Sequence, residues 1–103
     1  MGEELVKRFH QAMLDIYKRA LTEANYKPSV FLRMVGEHGG YETARRLIHS
    51  DHVSDGYVKL FERGRLDLTV EAVIIDNQQW HELFRDDELD ICRKRLHAYG
   101  YKT

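Results

Sequence analysis

The sequence lacks most of what ties a chain to a membrane, a disulfide framework or a polyanion. Cys92 is the only cysteine in 103 residues. An intramolecular disulfide needs two, so a secreted disulfide scaffold is excluded. Long apolar runs are missing. The longest strictly aliphatic run is Ala72 to Ile75, four residues, against about twenty for a membrane-spanning helix. An excess of one charge is missing too. Sixteen basic and seventeen acidic side chains leave a net charge of −1, where a dedicated nucleic-acid binder carries a clear basic excess. The opening residues, Met1 to Val6, are acidic and have no apolar core of signal-peptide length. A myristoylation signal needs Ser or Thr where Val6 stands. By default the expected compartment is the cytoplasm.

What is present is the composition of one folded domain. The chain is 43% hydrophobic and 32% charged, which argues against a disordered tail. A chain of this length buries about two-thirds of its unfolded surface, enough for one core. Charge is mildly uneven. Residues 1–26 sum to 0, residues 27–65 to +2 and residues 66–103 to −3. The middle third is therefore the one candidate basic face.

Periodicity predicts helices throughout. Leu5, Phe9, Ala12, Met13, Ile16, Ala20 and Ala24 recur every three or four residues and predict a first helix from about Glu3 to Ala24. Pro28 disfavours helical geometry at Lys27 and breaks it. A second helix starts near Pro28 or Ser29, carries Phe31, Met34 and Val35, and ends at Gly39-Gly40. A third runs from about Tyr41 to His49. Ser54 caps a fourth, which Gly64 ends. The stretch Arg65 to Val70 alternates like a strand, but the alternation fails beyond it. We favour an extended lead-in followed by a buried helix from about Thr69 to Asp76. Trp80, Leu83 and Phe84 form a short helical turn, and a last helix runs from about Asp87 to Tyr99. The expected fold is all-α: a compact single-domain bundle of six or seven short helices over residues 1–103, with an N-terminal helix at 1–25 and a module at 26–101.

Few constellations carry chemistry. Six acid-then-base pairs lie four apart, namely Glu3–Lys7, Glu4–Arg8, Asp15–Arg19, Glu42–Arg46, Asp55–Lys59 and Asp90–Lys94, and read as solvated helix faces. His49 and His52 are three apart, but a metal site needs three or four ligands. Cys92 shares a stripe with Leu89, Leu96 and Tyr99 and reads as an inert core thiol. Asp86, Asp87, Glu88 and Asp90 suit a helix N-terminus. The helix–Gly-Gly–helix unit fails the helix-turn-helix pattern, because Arg45 or Arg46 stands where an apolar residue is required. Arg33, Arg45, Arg46, Lys59, Arg63 and Arg65 still form a candidate phosphate-contacting set.

Three segments resemble a family of short bacterial helical proteins of unknown function. They are Phe31-Leu32-Arg33-Met34-Val35 with Gly39-Gly40 and Ala44-Arg45-Arg46-Leu47-Ile48; the run Gly64-Arg65-Leu66-Asp67-Leu68-Thr69-Val70-Glu71; and Leu83-Phe84 followed by Glu88-Leu89. The same module is similar to tails of larger bacterial proteins. The resemblance covers about three-quarters of the chain, Tyr26 to Tyr101. It implies a self-contained module that travels between proteins, and no activity. Within the run, Gly64 stops a helix, Leu66 and Leu68 enter the core, Asp67 or Thr69 caps the next helix, and Arg65, Asp67 and Glu71 form a charge network.

The functional expectation is a non-catalytic protein-interaction module, with a second copy of the chain as one candidate partner. Eleven aromatics supply ring surface, with Tyr17, Tyr26, Tyr57, Trp80 and Tyr101 as interface candidates. The alternative is a nucleic-acid-binding accessory domain using the basic face of residues 27–65. No enzyme activity, metal, cofactor, small-molecule substrate or membrane is expected.

Overall fold

The three- and four-residue spacing of Leu5, Phe9, Met13, Ile16 and Ala20 makes α1, Gly2–Glu23, with all five buried on one face. It is the longest element of the computed structural model, which describes residues 2–102. The other elements are α2 (Ser29–His38), α3 (Gly40–Ile48), α4 (Asp55–Glu62), a 3-10 turn (Leu66–Leu68), α5 (Val70–Asp76), a second 3-10 turn (Gln78–Leu83) and α6 (Asp86–Ala98). No strand occurs among the described residues. The fold is all-α, with a radius of gyration of 12.5 Å, close to the roughly 13 Å expected at this length.

α1 packs against α2, α3 and the second 3-10 turn, and α5 packs along α6. Phe9 is the hub on the α1 side. Its ring meets Trp80 at 5.2 Å and Phe84 at 5.5 Å, both edge-on, the arrangement aromatic quadrupoles prefer. The crossing of α1 and α3 depends on Gly40. Its N–H donates to His10 Nδ1 at 2.9 Å. A Cβ there would lie 2.8 Å from the His10 Cα, so only glycine lets the two backbones approach.

Local signals place most boundaries. Gly39, at φ 82°, ends α2 and begins the turn into α3. The Ser54 hydroxyl accepts from the Tyr57 N–H at 3.1 Å and caps α4. The Thr69 hydroxyl accepts from the Ala72 N–H at 3.1 Å and caps α5, which decides between Asp67 and Thr69. The extended lead-in is corrected: Leu66–Leu68 is a 3-10 turn. Its alternation arises because two apolar clusters flank it. Leu66 joins Tyr57, Ala72 and Leu96, while Leu68 joins Ala20, Ala24 and Leu60. Of the six intrahelical ion pairs, Glu42–Arg46 closes at 3.2 Å. Arg19 turns from Asp15 to Glu23, and Asp90 pairs with Arg93 in place of Lys94.

Candidate functional site

The basic set does not assemble as a free face. Arg45 donates to buried Glu88 at 3.2 Å. Arg46 pairs with Glu42. Arg63 donates to the Ala24 carbonyl at 3.0 Å and lies over the Tyr26 ring. Arg65 grips Asp67 through two 2.9 Å bonds and reaches Glu23 at 2.7 Å. Arg45, Arg63 and Arg65 thus tie separate elements together, while Arg46 pairs only within α3; Arg33, Arg46, Lys59 and Arg63 are exposed.

The aromatic set is also divided. Tyr57 and Trp80 are core residues and present no surface to a partner, a correction to their place as interface candidates. Trp80 is drawn in by Phe9, and Tyr57 by Leu66, Ala72, Leu96 and the edge of Tyr99. Tyr101 is half-buried and its hydroxyl donates to Asp76. Burial, then that carboxylate, pushes the phenol up to about 12. Tyr17 and Tyr26 remain partly exposed.

The charge network of the Gly64–Glu71 run is corrected as well. Arg65 and Asp67 are in it, joined by Glu23 and Arg19 from the end of α1. These two arginines hold the Glu23 carboxyl down at about 2. Glu71 lies elsewhere: it is buried in α5 and meets Arg95 of α6 at 3.0 Å. A second buried acid, Glu88, is 1% exposed. Its carboxylate accepts from the Arg85 N–H at 2.9 Å and faces His49 Nε2 at 2.6 Å. Sequence reasoning placed Glu88 among the acids that suit a helix start. The missed signal is its spacing, four residues before Cys92 and eight before Leu96, on the stripe that faces inward.

Tyr17 and Tyr26 lead to the feature that sequence reasoning missed. Between α1, α2 and α4 lies a cleft of about 330 Å³, within the range of small-ligand sites. Ile16 and Ala20 of α1, Phe31 and Met34 of α2, Leu60 of α4, and Leu68 and Val70 form its walls. Its lining also includes Tyr17, Tyr26, Lys27, Val30, Ser54 and Asp55. Pro28 sets the start of α2 there, and the Tyr26 hydroxyl approaches α4 beside Gly56, 3.4 Å from where a Cβ would stand, an ordinary contact distance. Val30 is 61% exposed, the most exposed large apolar side chain described.

Polar groups in the cleft are mostly committed to the fold. The Ser54 and Thr69 hydroxyls cap helices, and Glu71 faces Arg95. The Tyr57 hydroxyl is buried and has no hydrogen-bond partner. Desolvation, then the Glu71 charge, raises its pKa. The Cys92 thiol is fully buried, and burial followed by the Glu71 charge pushes it up to about 12. That is the opposite of an activated nucleophile. Among the described residues, no group of three or more His, Cys, Asp or Glu is placed to hold a metal ion. No described helix is long and apolar enough to cross a membrane. Comparison with protein-family models, curated proteins and solved structures finds no match, so fold and cleft geometry are the ground on which function is read.

Proposed function

We propose that this chain is a non-catalytic binding module whose working surface is the cleft between α1, α2 and α4. The observation that carries the reading is the 61% exposure of Val30 beside an apolar cavity of about 330 Å³. Apolar surface around a concavity gains free energy when a partner covers it, at about 25 cal/mol per Å². The protein partner expected from the sequence, a second copy included, has one place here to seat an apolar group.

Sedimentation across a wide concentration range, with and without Val30→Glu, tests self-association. A dimer abolished by Val30→Glu supports the reading. A dimer untouched by that change, or by filling the cleft with Ala20→Leu, places the interface elsewhere.

The nucleic-acid reading keeps Arg33, Arg46, Lys59 and Arg63 as its exposed cations. Titration of labelled duplex and single-stranded DNA at two salt concentrations tests it. Phosphate contacts weaken steeply with salt, and absence of binding at low salt ends that alternative.

A further inference from the structure

We propose that His10 is an acid-sensitive latch: a titratable cap, supplied by α1, on the N-terminus of α3. That helix has no cap of its own. Gly39 stands at its N-cap position and offers no side chain to the first turn. The first N–H groups of a helix have no intrahelical acceptor. Gly40 opens α3 and is buried, so its N–H needs a partner from elsewhere in the protein. The partner comes from 30 residues back, where His10 Nδ1 accepts the Gly40 N–H at 2.9 Å.

The chemistry of the ring makes this cap conditional. Neutral imidazole has one nitrogen that accepts and one that donates, whereas imidazolium donates from both. A ring that accepts at Nδ1 is therefore neutral, with its proton on Nε2. A second proton, on Nδ1, sets two donors against each other. It also puts a full positive charge at the positive end of the α3 dipole. The backbones leave little room to adjust, because a Cβ on Gly40 would lie 2.8 Å from the His10 Cα and 3.0 Å from Met13 Cγ. The half-buried ring can swing out to solvent, and the buried Gly40 N–H then loses its acceptor.

The surroundings do little to offset the new charge. His10 lines a surface hollow with Lys7 of its own helix, His38 at the end of α2, and Tyr41 and Glu42 of α3. Lys7 is a second cation. His38 lies 3.9 Å from Glu37 and adds positive charge once protonated. The Tyr41 hydroxyl donates to the Leu83 carbonyl. Glu42 is the acid of the hollow, and Arg46 engages it at 3.2 Å. The second 3-10 turn meets α1 through Trp80 against Phe9, and neither His81 nor Glu82 of that turn lines the hollow.

The sign of the pH dependence follows. The unfolded chain takes up a proton on His10 through the ordinary histidine range, near about 6.5. The latched fold holds the ring neutral. Stability is therefore present above that range and lost as pH falls through it. Between about pH 7.5 and about pH 5.5, a ring that stays neutral in the fold lowers the folding equilibrium constant by about tenfold. Acid thus releases the bond that pins the crossing of α1 and α3.

The test compares urea unfolding of the wild-type chain and His10→Asn at those two pH values. The Asn side-chain oxygen can accept the Gly40 N–H from nearly the place of Nδ1, and it does not titrate. From the higher pH to the lower, wild type should lose about tenfold more in folding equilibrium constant than His10→Asn. The remaining histidines are common to both chains and cancel. A second measurement needs no variant. In ¹H–¹⁵N spectra of the wild-type chain, the Gly40 amide proton should move upfield as the His10 ring takes up its proton, as loss of a hydrogen bond requires. Equal losses by wild type and His10→Asn overturn the proposal. A Gly40 amide that stays in place while the His10 ring titrates overturns it as well.

Discussion

The Glu71 carboxylate meets the Arg95 guanidinium at 3.0 Å, with the two side chains only 5% and 12% exposed. The same guanidinium donates to the carbonyls of Leu47, Ile48 and Ser50. One arginine of α6 therefore neutralises a buried acid of α5 and satisfies the open carbonyl end of α3. Arg95→Met strands the buried Glu71 charge and removes the Arg95 donors from three carbonyls, of which Leu47 keeps the Ser50 N–H and Ser50 is exposed. It should destabilise the protein by about 3–5 kcal/mol, a large share of the roughly 5–15 kcal/mol typical of a domain. Urea unfolding checks this. The double variant Glu71→Leu/Arg95→Met should lose less than the sum of its single changes, because the uncompensated charge is then gone. Additive losses would contradict the pairing.

Glu88 gives the fold a pH dependence of known sign. Burial is the largest single influence on this carboxyl and pushes its pKa up. Hydrogen bonds from the Arg85 N–H, His49 and Arg45 together outweigh burial and hold it below its ordinary 4.5. A lowered folded-state pKa contributes stability above the unfolded value and loses it as pH falls through the folded one. Wild type should therefore lose more stability than Glu88→Gln as pH drops below about 4.5. Glu71, raised by burial, acts in the opposite direction but is common to both chains. Urea midpoints from neutrality down to about pH 3 are the measurement. Parallel curves would contradict the assignment.

Two glycines should respond oppositely to alanine. At Gly36, inside α2, nothing lies within 4 Å of a built Cβ. Gly36→Ala should stabilise by about 0.5–1 kcal/mol through helix propensity and unfolded-state entropy. At Gly40 the Cβ would meet the backbone of His10 at 2.8 Å, and backbone does not rotate aside. Gly40→Ala should cost about 1–3 kcal/mol. Thermal unfolding of both variants checks the contrast.

The Cys92 thiol should be inert in the native state. It is fully buried, and its pKa stands near 12. A thiol reagent such as DTNB should react with the folded chain only at the rate of unfolding, and quickly in denaturant. Fast labelling of the native protein would contradict the burial.

Much of the fold was legible because helix periodicity and capping are local. Ser54 and Thr69 cap the helices their positions announced, and the stripe Leu5–Phe9–Met13–Ile16 faces the core. Leu66 and Leu68 misled because alternation looks the same whether two clusters or one sheet face receive it. The buried acids were harder. Glu71 in the run Val70–Ile75, and Glu88 on the Cys92–Leu96 stripe, are acids at apolar positions, a readable signal. Their partners Arg95, Arg45 and His49 lie 24 to 43 residues away, and no local rule pairs them. The cleft was illegible for the same reason. Residues separated widely in sequence line it, and each alone reads as ordinary core or surface.

The central claim is that the cleft receives an apolar group. The most direct measurement is a methyl-resolved NMR titration of the intact protein with benzene, a probe that enters apolar cavities without needing polar contacts. Saturable shifts confined to the methyl groups of Ile16, Val30, Met34, Leu60, Leu68 and Val70 are the predicted result. Shifts absent from those residues, or spread evenly over the surface, would contradict it.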